Sequence, residues 1–133
     1  MKVRISRLLL EQIKALAAAD AREVCGLLLG ETGCIGDIRP AANIAADPAR
    51  YFELDPAVLL AAHKAARLGG PAIMGHYHSH PSGRSEPSAV DAQNATPDGS
   101  LWMILAGEEI GLWIAGPGKG AETCFTRALL DIM

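Results

Sequence analysis

Five residues of this 133-residue chain have the types and spacing to carry metal-dependent chemistry together: His78, His80, Ser88, Asp91 and, far upstream, Glu23. In an extended segment residues two apart share a face, so the imidazoles of His78 and His80 can converge on one ion at the end of a strand. Ser88 and Asp91 are three apart and fall on one face of a helix, where Asp91 can complete a His/His/Asp set while Ser88 points at the same space. Three protein ligands leave one coordination position for water, the arrangement of catalytic zinc. Two histidines and one carboxylate also suit iron or cobalt, so the spacing leaves the metal open. Zinc lowers the pKa of water towards about 7, and hydrolysis then needs a group that accepts and returns a proton. Glu23 is the candidate, because a carboxylate at the mouth of the apolar stretch EVCGLLLG asks for a partner.

Other residues compete for these roles. Strand alternation puts His76 on the same side as His78 and His80, as a rival to Asp91, but three alternating strand histidines spread too far to chelate one ion well. Cys25 alternates onto the face of Glu23 and reads as a buried, inert thiol. His63 falls on a helix as a solvent-facing or packed residue, Ser79 and Ser82 as strand-end and loop hydrogen bonders, and Glu86 as part of a solvated loop. Without the histidine motif, Glu23 would read as a structural carboxylate paired with Arg22 or another base. The GPGKG stretch at 116–120 lacks phosphate-loop spacing and reads as a hairpin turn. Neither HExxH nor the HxE and PCxxC pair of base deaminases is present.

The elements that must position these residues are legible in outline. Leu9, Ile13, Leu16 and Ala17 recur at helical spacing and predict a helix from about Ser6 to Ala19. Val24–Leu29 is a short apolar run ending at glycines and predicts a buried strand, with a second strand over Cys34–Pro40. Asn43–Arg50 reads as a loop, and Tyr51, Phe52 and Leu54 as a brief strand. Asp55 before Pro56 starts a helix that runs to about Leu68, where Gly69, Gly70 and Pro71 stop it. Ala72–Tyr77 is a buried strand leading into the histidines, 81–87 a loop, and Ser88 to about Asn94 a short helix. Leu101–Ala106, Ile110–Ala115 and Thr123–Thr126 form a β-meander. The sum is one α/β domain over residues 1–133, with a mixed, curved sheet flanked by helices.

Composition narrows the partners. Half the residues are apolar, enough to bury a core without staples at this length. Twelve basic against 15 acidic side chains, with no basic stripe, argue against nucleic acid. No apolar run approaches the roughly 20 residues that span a bilayer, and Glu11, Gln12 and Lys14 interrupt the N-terminal stretch, so it does not read as a signal peptide. Three widely separated cysteines outside any CxxC pair read as reduced thiols, which makes the cytoplasm the expected compartment.

Glu23, the HSHP of residues 78–81, and Ser88 and Asp91 in SxxD spacing, with seven residues between His80 and Ser88, together resemble the JAMM or MPN+ metallopeptidases. The flanking EVCGLLLG, YFELDP and GHYHSHPSGRSEPSAVD look like the compact prokaryotic members. The resemblance implies a cytidine-deaminase-like fold and a zinc hydrolase that cuts peptide or isopeptide bonds at the C-terminal tail of ubiquitin-like or sulfur-carrier proteins. It implies that His78, His80 and Asp91 hold zinc, that Glu23 is general base and then acid, and that Ser88 hydrogen-bonds the oxyanion. The long insertions of the larger eukaryotic relatives are missing, so selectivity among polyubiquitin chains is not implied. The rival class is a non-catalytic MPN-type binding module for ubiquitin-like proteins, which would have no physical need of an intact ligand set. A third reading, a hydrolase of small amides or free peptides, shares the site but not the partner. Substrate identity, bond type and oligomeric state are beyond the sequence.

Overall fold

The computed structural model describes residues 1–49, 51–81, 83–118 and 123–133. Along the chain run β1 (Lys2–Ile5), α1 (Arg7–Ala18), β2 (Cys25–Glu31), β3 (Cys34–Ala41), α2 (Pro56–Arg67), β4 (Ala72–Ser79), α3 (Ala89–Asn94), β5 (Leu101–Ala106), β6 (Glu109–Pro117) and β7 (Thr123–Ile132). In space the strands are ordered β1, β3, β2, β4, β5, β6, β7. Pairing is antiparallel from β3 through β2 to β4 and along the β5–β6–β7 meander, and parallel between β4 and β5. Strand β1 pairs in parallel with both β3 and β7, which draws the two ends of the sheet together. This is the mixed, curved sheet with flanking helices that the sequence predicts.

Successive residues of a strand face opposite sides, and β2 divides the core that way. Leu28 faces inward with Tyr77, Met103 and Leu112, where α1 adds Leu9, Leu10 and Ile13. Leu27 and Leu29 face the other side, under Ala62, Val58 and Leu59 of α2. Each fully buried Leu or Ile contributes about 1.5–3 kcal/mol, so truncating Leu28, which is wholly buried, removes one of the larger single contributions. Both long helices start on side-chain caps. The Ser6 hydroxyl accepts from the Leu9 N–H at 3.1 Å, and the Asp55 carboxylate accepts from the Ala57 N–H at 3.0 Å with Pro56 in the first turn. Each cap satisfies a donor that the helix itself leaves unpaired.

The structure departs from the sequence reading in four places. Strand β1 was not foreseen, although Val3 and Ile5 are buried between exposed Lys2 and Arg4 in the alternation of a half-buried strand. Strand β7 continues to Ile132 rather than ending at Thr126, because Leu129–Ile132 pair with β1. Tyr51, Phe52 and Leu54 form no strand: a single bridge joins Leu54 to Asn43, and the segment is a loop held by a side chain described below. Helix α3 begins at Ala89, with Ser88 as its cap rather than its first turn. Of the 116–120 turn, Gly116 and Pro117 end β6, and 119–120 lie outside the described residues, as does Ser82.

Strand β4 carries the histidines to the α2 side of the sheet. His76 lies opposite Leu27 and Trp102, and His78 opposite Cys25 and Ile104; residues directly opposite share a face. A Cβ at Gly75 would overlap the Leu101 backbone, so the close approach of β4 and β5 depends on glycine. Beyond the end of β4, the His80 N–H donates to the Leu105 carbonyl at 2.7 Å, which turns the chain without releasing it from β5.

Candidate functional site

Three ligand-type atoms meet at the end of β4. His78 Nε2 lies 3.0 Å from His80 Nε2, and Asp91 Oδ2 lies 3.4 Å from the first and 3.2 Å from the second. His78 is fully buried and Asp91 is 5% exposed. The Nδ1 of His80 is 2.7 Å from the Arg84 carbonyl, which can only accept, so Nδ1 carries the hydrogen and a neutral His80 turns the Nε2 lone pair inward. Two nitrogen lone pairs and a carboxylate oxygen at this separation repel unless a positive charge sits among them. Two atoms each about 2.0–2.1 Å from a tetrahedral zinc stand about 3.3 Å apart. The donor set therefore fits a zinc ion in both chemistry and spacing.

The electrostatics follow from the same contacts. Burial works against ionisation of Asp91, but hydrogen bonds with His78, His80 and the Ser88 backbone outweigh it and hold the carboxyl well below its usual range. Burial pushes His78 towards its neutral form, despite Asp91. His80, although burial opposes the charge, is raised by Asp91, the Arg84 carbonyl and Glu23.

Asp91 is aimed by the start of α3. The Ser88 hydroxyl accepts from the Asp91 N–H at 3.0 Å, while Asp91 Oδ2 accepts from the Ser88 N–H at 2.8 Å, a reciprocal capping box. One carboxylate thus anchors the helix and faces the histidines. The sequence reading put Ser88 and Asp91 on one helical face; the cap brings them together instead, and leaves the hydroxyl hydrogen of Ser88 free of that bond.

Glu23 precedes β2 and is 6% exposed, with its carboxylate within 4.8 Å of the ligand nitrogens of His78 and His80. Burial raises its pKa to about 7, assisted by the Asp91 and Asp47 carboxylates and opposed by His80. Arg22, the neighbour considered as its partner, pairs with Asp20 at 2.9 Å instead. The backbone of Glu23 is clamped on both sides: its N–H donates to the Pro48 carbonyl at 2.7 Å, and its C=O accepts from Asn43 Nδ2 at 2.8 Å. The same amide donates to the Tyr51 carbonyl at 2.9 Å and accepts from the Ala45 and Glu53 N–H groups. Asn43 therefore fastens the 43–54 loop to the residue beside the histidines. The sequence reading missed it, seeing only a loop.

Residues 6–118 match the family described as prokaryotic homologs of the JAB domain. The chain belongs to this family. It is 35% identical over 86 residues to a desampylase of Haloferax volcanii, a stretch covering 63% of this chain and 62% of that protein. It is 34% identical over 92 residues to a probable TtuB-protein conjugate cleaving protease of Thermus thermophilus, covering 68% of this chain and 62% of that one. The matched part of the JAB domain thus spans less than two thirds of either relative. Among solved structures, a Salinibacter ruber protein superposes with a TM-score of 0.71 at 29% identity, over 98% of this chain and 92% of that one. A Desulfitobacterium hafniense protein superposes with a TM-score of 0.78 at 24% identity, over 100% and 94%, a likeness of fold.

In this JAB domain Glu23 and Asp91 border a cavity of about 730 Å³, whose lining also includes Asp47, Phe52, His76, Ser88 and Trp102 but neither His78 nor His80. The Phe52 ring stacks on His78 with centroids 4.1 Å apart, and His76 stands edge-on to Trp102 at 4.3 Å. His78 Nδ1 has no hydrogen-bond partner among the described residues, so on that side of the ring packing takes the place of a hydrogen bond. His76 shares the face of His78, as alternation predicts, but burial drives its pKa down to about 3 and its Nε2 also lacks a partner among the described residues. It does not join the ligand-type cluster of Glu23, His78 and His80. Ser79 Oγ accepts from the Val24 N–H at 2.8 Å, which ties β4 to the residue after Glu23. Cys25 is buried with its thiol pushed up to about 11 by burial, and His63 is exposed on α2. All three thiols are unpaired, and no described helix is long and apolar enough to cross a membrane.

Proposed function

We propose that this JAB domain is a zinc-dependent isopeptidase or peptidase acting at the C-terminal tail of a ubiquitin-like or sulfur-carrier protein. The observation that carries the reading is the convergence of His78 Nε2, His80 Nε2 and Asp91 Oδ2 within 3.4 Å of one another, beside a buried Glu23. His78, His80 and Asp91 would hold the ion, which when bound supplies Lewis acidity towards water and a carbonyl oxygen. Glu23 takes a proton from the attacking water on its carboxylate. The scissile C–N bond then breaks, and Glu23 returns that proton to the departing amine, leaving a carboxylate on the tail. Burial raises the Glu23 pKa to about 7, and a cation held by the neighbouring ligands would favour the carboxylate form that accepts the proton of water. The Ser88 hydroxyl, whose oxygen already accepts from the Asp91 N–H, has its hydrogen to donate to the developing oxyanion. The choice of substrate rests on the relatives, one named a desampylase and one a probable TtuB-protein conjugate cleaving protease. A cytoplasmic location belongs to the same reading and is supported by the three unpaired thiols.

The test combines elemental analysis with cleavage of a ubiquitin-like protein joined through its C-terminal glycine to a lysine-containing reporter peptide. Near one zinc per chain is expected in wild type and in Glu23→Gln, and loss of zinc in Asp91→Ala. Zinc-loaded wild type releases the reporter, and Glu23→Gln lowers turnover by about 10²–10⁴-fold. Zinc-loaded wild type that retains the conjugate without cutting it would overturn the reading in favour of a binding module. Cleavage confined to small amides would move the substrate away from ubiquitin-like tails.

A further inference from the structure

The loop between His80 and Ser88 leans on a strand that no part of the catalytic reading uses. Ser85 is buried at 7% exposure, and three alternating residues of β6, which share one face, all meet it. Trp113 Nε1–H donates to the Ser85 carbonyl at 2.9 Å, and the Ser85 hydroxyl donates to Glu109 Oε2 at 3.3 Å. Between them, Gly111 has no side chain, and a Cβ there would overlap the Ser85 carbonyl oxygen, so the loop backbone lies directly on the strand. The Arg127 guanidinium of β7 stands 5.2 Å from the Trp113 ring centroid. One peptide unit before Ser85, the Arg84 carbonyl accepts the Nδ1–H of His80 at 2.7 Å.

These adjacent carbonyls have different customers, and the first settles where the second points. We propose that Trp113, acting through the Ser85 carbonyl, is a positioning residue for His80: the contact with β6 fixes the Arg84 carbonyl and, through it, the tautomer and ring plane of His80. The inference rests on the metal-site reading only for the advantage it confers. A histidine that offers Nε2 to an ion needs its other ring hydrogen held, and the partner that holds it tunes affinity as well as orientation. His78 lacks such a bond among the described residues, so His80 carries the hydrogen-bonded half of the pair.

The decisive variant is Trp113→Phe, which removes the N–H and keeps an aromatic ring beside Arg127; Gly111→Ala displaces the same carbonyl from a different atom. Ring ¹⁵N shifts of His80 are recorded by NMR on metal-free protein at alkaline pH, where the ring is neutral. Wild type is expected to show a protonated Nδ1 and an unprotonated Nε2, and both variants shifts averaged between the two tautomers. Zinc affinity, read by competition with a chromophoric chelator, is expected to fall about tenfold or more in Trp113→Phe. His80 shifts and zinc affinity within twofold of wild type, with only the melting temperature lowered, would reduce Trp113 to a packing residue and overturn the proposal. If wild type fails to bind zinc, the function proposed above fails, while the metal-free His80 shifts still decide the role of Trp113. If Gly111→Ala does not fold, Trp113→Phe decides alone.

Discussion

The ring of Phe52 lies face to face on the ring of His78, centroids 4.1 Å apart and planes 18° apart. Phe52 belongs to the 43–54 loop and His78 to the sheet, so this stack joins the part of the site set by β4 to the part set by the loop. His78 Nδ1 has no hydrogen-bond partner among the described residues, so the stack restrains the ring together with the Nε2 contacts to His80 and Asp91.

Phe52→Ala is therefore expected to weaken zinc binding by about tenfold, comparable to the loss of an outer partner of a metal-bound histidine. An aromatic pair adds about 0.5–1.5 kcal/mol beyond burial, so stability also falls by at least that much. Chelator competition and urea unfolding measure the two effects. Unchanged zinc affinity in a folded Phe52→Ala protein would leave the stack without a role at the site.

In the proposed mechanism Ser88 has two separable duties. Ser88→Ala removes an N-cap acceptor, at a cost of about 1 kcal/mol in unfolding free energy, and a hydroxyl placed for the oxyanion, which lowers kcat by about 10²–10³-fold. Metal content stays at the wild-type level, because Asp91 is the group facing the histidines. A variant with the stability loss alone would confine Ser88 to capping.

The Asn43 amide ties the loop to Glu23: Nδ2 donates to the Glu23 and Tyr51 carbonyls at 2.8 and 2.9 Å, and Oδ1 accepts from the Ala45 and Glu53 N–H groups. Asn43→Ala takes the partner from the part-buried Glu23 carbonyl and Ala45 N–H and is expected to lower stability by about 1–3 kcal/mol. On the proposed function, turnover falls more than zinc affinity, since the clamp holds Glu23 and not His78, His80 or Asp91. Equal losses in both would point to general unfolding of the loop.

Cys25 provides a test of burial with a defined pH direction. Its thiol is pushed up to about 11 by burial, then by the Glu23 carboxylate. Well below pH 9 its thiolate is about a hundredfold scarcer than that of an ordinary thiol, and reactivity climbs only as pH rises towards 11. Iodoacetamide at mildly alkaline pH should modify exposed Cys124 and spare Cys25, as peptide mass spectrometry would register. Rapid native-state labelling of Cys25 would contradict its burial.

Much of this molecule follows from local pattern. The periodicity of Leu9, Ile13, Leu16 and Ala17 places α1, and Asp55-Pro56 with Gly69-Gly70 brackets α2, because caps and helical spacing act within a turn or two. The HxH pair and the SxxD spacing announce a ligand set for the same reason, since i,i+2 and i,i+3 neighbours meet by local geometry. Glu23 is 55 residues from His78 and has no periodic relation to it; its place at the mouth of an apolar strand raised it, and the resemblance to a family motif agreed. The closure of the sheet by β1 on β7, the Asn43 clamp across 20 residues and the Trp113 contact across 28 leave no trace in sequence pattern. Each is a single hydrogen bond or short pairing between distant segments, and only the packed sheet determines which donor reaches which carbonyl. That packing also sets His76 against Trp102 and Phe52 and turns Asp91, through the α3 cap, towards His78 and His80.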